Sequence, residues 1–125
     1  MNPHGMISAI SRAVSSIRAI PPDEARLQDM IACCFRERGI PYAREVFTAT
    51  GPVDFVAWEE VAIEVKMKGS AVAVNRQLLR YLEDARFLEA VLITTRPMVL
   101  PLRRLSMGGG AVKPIHVVDM WKNFL

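Results

Sequence analysis

The stretch GPVDFVAWEEVAIEVKMKG, residues 51–69, decides how the rest of the chain is read. Val53, Phe55 and Ala57 alternate along its first half, and Val61, Ile63 and Val65 along its second. Such period-two alternation marks strands with one buried face, so residues 53–57 and 61–66 are expected to form a hairpin. Putting both apolar trios on one core requires Phe55 opposite Ile63, which needs a three-residue turn, Trp58-Glu59-Glu60. That register sets Asp54 opposite Glu64 on the other face, with Lys66 two residues further along. A two-residue turn would send Asp54 to the opposite side, so the meeting of the three charges depends on the odd turn length.

Upstream, Pro21-Pro22 ends an N-terminal segment. Asp23 can cap a helix with Glu24 in its first turn. Leu27, Met30, Ile31, Cys34 and Phe35 recur at helical spacing to about Arg38, and Gly39 supplies the stop. Tyr42 to Thr48 reads as a first strand, closed by the turn signal Thr50-Gly51-Pro52. Downstream of Gly69-Ser70, the spacing of Val74, Leu78, Leu82 and Ala85 predicts a helix to about Glu89. Ala90 to Thr95 is an uncharged strand suited to the middle of a sheet. Pro97 and Pro101 then break regularity, Leu102 to Met107 is expected to form a helical turn or more, Gly108 to Gly110 a flexible connector, and Pro114 to Asp119 a last strand. This order predicts an α/β fold, a mixed central sheet flanked by helices. A basic arm or helix over 1–22 precedes one domain over 23–125.

The 125 residues are about half apolar, enough for one core. Sixteen Lys and Arg against thirteen Asp and Glu give a net charge of +3. The bases concentrate at the ends, with Arg12 and Arg18 unopposed in 1–22 and five bases against Asp119 in 96–125, leaving the centre acidic. That distribution suits a polyanion gripped at the flanks and a cation held in the middle. Met1 to Ile20, rich in Ser, Ala and Arg, has the composition of an organelle transit peptide. The preferred reading is a short amphipathic helix with Ile10, Val14 and Ile17 on one stripe. Adjacent Cys33 and Cys34 offer neither a disulfide framework nor a CxxC pair, which points to a reducing, cytoplasmic setting. No apolar run approaches membrane-spanning length, so no membrane partner is expected. His4 and His116 are isolated, so neither a zinc site nor a catalytic dyad is indicated, and the triple glycine lacks the residues of a phosphate loop. Trp58, at the hairpin tip, covers a core edge or stacks on a base.

Two carboxylates beside an ammonium make chemical sense around a hard divalent cation. Magnesium or manganese is commonly held by one or two carboxylates plus waters and substrate phosphate oxygens. Asp54 and Glu64 are the expected ligands, and Lys66 is left to assist the attacking water or bind the phosphate.

The pattern Val53-Asp54-Phe55, nine intervening residues, then Glu64-Val65-Lys66 resembles the PD-(D/E)XK nuclease superfamily, whose core order of helix, three antiparallel strands, helix and strand matches the one read above. Gln77-Leu78-Leu79-Arg80-Tyr81 is similar to the QxxxY motif of its recombination-exonuclease branch, which also places the chain near the junction resolvases. In this chain Val53 stands between Pro52 and the acid. The resemblance spans about residues 23–95. It implies metal ligation by Asp54, Glu64 and the Val65 backbone carbonyl, with Glu24 as a further ligand from the first helix. It also implies catalytic roles for Lys66 and Gln77, and it puts Gln77 and Tyr81 on one helical face beside the nucleic acid. Glu45 is a looser candidate.

The expected function is therefore a magnesium- or manganese-dependent nuclease hydrolysing phosphodiester bonds in DNA, or in RNA. Lys68, Arg76, Arg80, Tyr81, Arg103 and Arg104 are the expected nucleic-acid contacts. The resemblance also implies a homo-oligomer, dimer or higher. The alternative is a non-catalytic nucleic-acid-binding module on the same fold, within a larger DNA repair or phage assembly. A third reading is a protein-interaction domain with a salt-bridged sheet face.

Overall fold

The computed structural model describes residues 3–125, with the side chains of Pro3 and His4 outside the description. Its elements are α1 (Pro3–Val14), α2 (Glu24–Glu37), β1 (Tyr42–Thr48), β2 (Gly51–Ala57), β3 (Val61–Lys66), α3 (Ala71–Leu82), β4 (Glu89–Thr94), β5 (Arg104–Ser106) and β6 (Val112–Asp119). Short 3-10 turns cover Gly108–Gly110 and Met120–Phe124. The strands form one six-stranded sheet in the order β1-β2-β3-β4-β6-β5. β3, β4 and β6 run parallel, and the other neighbours are antiparallel. The fold is thus α/β with a mixed sheet flanked by helices, compatible with a restriction-endonuclease-like core. No helix among the described residues is long and apolar enough to cross a membrane.

Each face of the sheet has its own core. α1 and α2 bury Ile10, Val14, Leu27, Ile31 and Phe35 against Phe55, Ile63 and Val65, while Val74, Leu78 and Leu82 of α3 pack on Val56, Ala62 and Leu92. Ile10 and Val14 of the expected stripe are buried in α1, and Ile17, three residues past its end, is buried as well. α2 starts where the sequence indicates, with the Asp23 carboxylate accepting the Arg26 N–H at 2.8 Å. It stops at Gly39, whose φ of +69° suits a residue without Cβ. The Gly39 and Ile40 N–H groups there return to the Arg36 and Phe35 carbonyls, a Schellman closure.

The hairpin register is the expected one, with Phe55 opposite Ile63 across a turn of Trp58, Glu59 and Glu60. Trp58 and Glu59 occupy left-handed φ of 49° and 63° to make that turn, and Trp58 packs at the edge of the first core.

Four expectations are corrected. Val53 joins the α3-side core rather than sharing one with Phe55 and Ala57. The cause is a reversal of both strands at Glu45 and Asp54: Glu45 takes a left-handed φ of 50°, and Arg44 lies over the Phe55 ring while Val46 turns to the Val53 side. α3 ends at Leu82 instead of near Glu89. Asp84 accepts the Arg86 N–H there, and the Lys113 ammonium binds the Leu82 and Asp84 carbonyls at 2.9 and 3.1 Å, closing the helix from a distant strand. Glu89 accordingly belongs to β4, and it is buried. Residues 102–107 form no helical turn, because Arg104–Ser106 pair with β6, and the triple glycine turns that hairpin, closed by the Met107 N–H on the Ala111 carbonyl.

Candidate metal-dependent site

The β2–β3 ladder stops at Phe55–Ile63, and the strands part where their charged residues begin. In the gap the Asp54 carboxylate reaches across and accepts the Val65 N–H at 2.8 Å. The N–H and C=O of one strand residue point toward the same neighbour, so the Val65 carbonyl faces this opening as well. Glu64 lies on the α3 side, 3% exposed. Its Oε2 is 3.3 Å from the Lys66 Nζ, two residues along the same face. Its Oε1 is 2.9 Å from the Tyr81 hydroxyl.

Tyr81 is held in turn by its own helix and by the start of β2. The Gln77 side-chain amide donates to the Tyr81 oxygen at 2.8 Å, one turn earlier on the same face. The Pro52 carbonyl is a second acceptor 2.9 Å from that hydroxyl. A phenol has one proton for the two acceptors. With Glu64 ionised the proton serves the carboxylate. With Glu64 protonated the carboxyl can donate to Tyr81, which then turns to Pro52.

The electrostatics follow from this crowding. Burial, followed by repulsion from the Asp54 carboxylate, pushes Glu64 up to about 7, against the opposing effects of the Tyr81 hydrogen bond and Lys66. Asp54 is also raised, chiefly by burial, with the Val65 N–H pulling the other way. Burial and the Glu64 carboxylate raise Tyr81 far above an ordinary phenol, so it is a donor here and never a base.

Two partly desolvated carboxylates face one ammonium, an excess of negative charge that a cation would offset. Both are hard oxygen donors of the kind magnesium and manganese prefer. Among the described residues no three His, Cys, Asp or Glu side chains gather tightly enough to hold an ion by themselves. Any cation here would rest on the Asp54–Glu64 pair, the Val65 carbonyl, waters and a substrate oxygen.

The other expected residues divide. Glu24 lies close enough to raise Asp54. Its Oε1 accepts the Met67 N–H at 2.9 Å, which ties the start of α2 to the end of β3 and leaves Glu24 beside the carboxylate pair as an anchor rather than within it. Tyr81, expected at the nucleic acid, is 1% exposed and supports Glu64 from behind. Gln77 is spent on Tyr81. Lys68, Arg76 and Arg80 are exposed at the end of β3 and on α3. Arg103 and Arg104 are exposed at the β5 edge, three strands and roughly 14 Å from β3. Glu45 is exposed on β1.

Sequence reasoning also missed that His116 has a neighbour. Its Nε2 lies 3.8 Å from Glu89 Oε2, and it and Glu89 Oε1 are buried without a hydrogen-bond partner. The two residues start in separate strands, and only the parallel β4–β6 pairing brings them together. A cleft of ≈ 550 Å³ lined by Tyr42, Trp58, Glu59 and Arg86 among others lies at the turn end of β2 and β3, away from Glu64 and Lys66.

In an alignment 87 positions long that covers 64% of it, the chain is 39% identical to Endonuclease NucS of Pseudarthrobacter chlorophenolicus. It spans about a third of the length of that relative, 34%. No family model matches the chain. No solved structure matches it.

Proposed function

We propose that the chain is a divalent-cation-dependent nuclease that hydrolyses phosphodiester bonds in DNA. The observation that carries this reading is the convergence of Asp54, Glu64 and Lys66 where β2 and β3 part, with Glu64 held by Tyr81 and buried. The partial similarity to an endonuclease supports it, and that relative's name favours cleavage within a strand over cleavage from an end.

Asp54 and Glu64 would hold magnesium or manganese, joined by the Val65 carbonyl. Lewis acidity that acidifies water and offsets charge on the phosphate is what such an ion supplies when bound. Asp54 is oriented for this by the Val65 N–H, and Glu64 by Tyr81. Lys66, its side chain 26% exposed, keeps its ammonium at the mouth of the site. There it steadies the attacking water or the phosphate oxygen that gains charge in the transition state. Gln77 positions Tyr81.

Incubation of purified protein with labelled single-stranded and duplex DNA, with and without magnesium or manganese, tests the reading. Cleavage is expected only with the cation, and Asp54→Asn and Lys66→Ala are each expected to lower its rate by at least about 100-fold while leaving the circular dichroism spectrum unchanged. Cleavage that persists in chelator or in Asp54→Asn would remove this assignment. Salt-sensitive DNA binding without any cleavage would instead favour the non-catalytic module.

A further inference from the structure

The segment that leaves β4 is pinned to α3 at two points. The Arg96 guanidinium donates to the Gly69 carbonyl just ahead of the helix. The Asn75 side chain, 3% exposed, clasps Leu102, donating to its carbonyl at 2.6 Å and accepting its N–H at 2.7 Å. Leu100 is buried between the pins as a root. On the helix side Ala71 to Asn75 advance about 6 Å at helical rise, and the two non-helical steps from Gly69 to Ala71 add at most about 7 Å. The six steps from Arg96 to Leu102 would cover roughly 20 Å if extended. The surplus must arch away from the helix, with Pro97 and Pro101 stiffening the shoulders. Val99, midway, is 87% exposed. Val72 on the helix and Leu102 at the second pin are exposed as well.

The two pinned segments carry one sign of charge, although Asp119 pairs with Thr94 at the foot of the arch. Residues 67–82 contain Lys68, Arg76 and Arg80 without an acid, and residues 90–118 contain Arg96, Arg103, Arg104 and Lys113 without an acid. Arg76 is one turn beyond Val72 on the same helical face. The arch also stands beside the carboxylate site, since Thr94 at the end of β4 pairs with Lys66. A partner that presents negative charges with apolar faces between them, and reaches Lys66, is a nucleic-acid strand.

We propose that the Arg96–Leu102 arch is a nucleic-acid contact in which Lys68, Arg76 and Arg103 bind phosphates and Val99 packs on a sugar or base face between them. This rests on the nuclease reading and adds the surface that grips its substrate. The test is fluorescence anisotropy of a short labelled single strand and of its duplex across a salt series, in chelator so that nothing is cut. Val99→Ser is expected to weaken binding about 5-fold on at least one of the two forms, without altering the slope of log K against log salt. Arg76→Ala is expected to reduce that slope by about one. Val112→Ser, an exposed valine on β6, should bind like the parent. If Val99→Ser binds both forms as tightly as the parent, the arch is not the contact, although the parent's cleavage of DNA would keep the nuclease reading alive. If Val99→Ser impairs binding only to anionic lipid vesicles, the partner is a membrane surface and the proposal is wrong. Absence of both binding and cleavage in the parent would overturn the arch and the nuclease reading together.

Discussion

Glu64 is where the chain concentrates its electrostatic cost. Its carboxylate is buried beside Asp54 and titrates near 7 rather than at the 4.5 of a free glutamate. A group whose folded pKa is raised binds its proton more tightly in the folded state. The resulting stability is therefore present in full below about pH 4.5 and is lost as pH rises toward 7, by roughly 3 kcal/mol for this residue. Glu64→Gln should flatten that slope, so urea midpoints measured from pH 5 to pH 8 in chelator should fall for the parent and hold nearly level for the variant. Tyr81→Phe keeps the ring and strips the Gln77 amide and Glu64 of their shared partner. It should cost about 1–3 kcal/mol in denaturant unfolding, and it should move the Glu64 transition to still higher pH, because the Tyr81 hydrogen bond favours the ionised form. The nearness of Asp54 to Glu64 and Lys66 was legible from the odd turn length, although the alternation used to place Asp54 breaks at that residue. The hold of Tyr81 on Glu64 and of Glu24 on the Met67 N–H was not, because both join elements far apart in the chain.

At the scale of elements, local chemistry sets most boundaries, and distant groups set the rest. The Asp23 cap and the Gly39 closure were readable because each signal lies within a few residues of the helix end it controls. Gly39→Ala places a Cβ in a left-handed conformation with nothing within 4 Å to clash. Its cost should therefore be the backbone term alone, about 1 kcal/mol, read from the shift in thermal or urea midpoint. The end of α3 was not readable, since Lys113 completes it from β6. β5 was missed for a similar reason: Leu102 to Met107 has no alternation of its own and becomes a strand only by pairing with Val112–Pro114. The face reversal at Glu45 and Asp54 escaped a pattern that assumes an unbroken strand, and it is where the candidate site opens.

At the scale of the molecule, α1 and α2 cover one face of the sheet and α3 with the Arg96–Leu102 arch covers the other. The mixed sheet followed from the order of elements, whereas the neighbour relations β4-β6-β5 required the whole fold. The carboxylate pair lies at the C-terminal end of β3, where an α/β sheet commonly binds its ligand. Exposed Lys68, Arg76 and Arg80 beyond the candidate cation site come from the middle of the sequence rather than from its basic flanks. The most direct test of this arrangement is calorimetric titration of manganese into the parent protein, Asp54→Asn and Lys66→Ala at a pH above 7. The account predicts that the parent and Lys66→Ala bind the ion and that Asp54→Asn binds it at least about tenfold more weakly, a loss of about 1.4 kcal/mol or more. Equal manganese affinity in the parent and Asp54→Asn, or none in either, would contradict it.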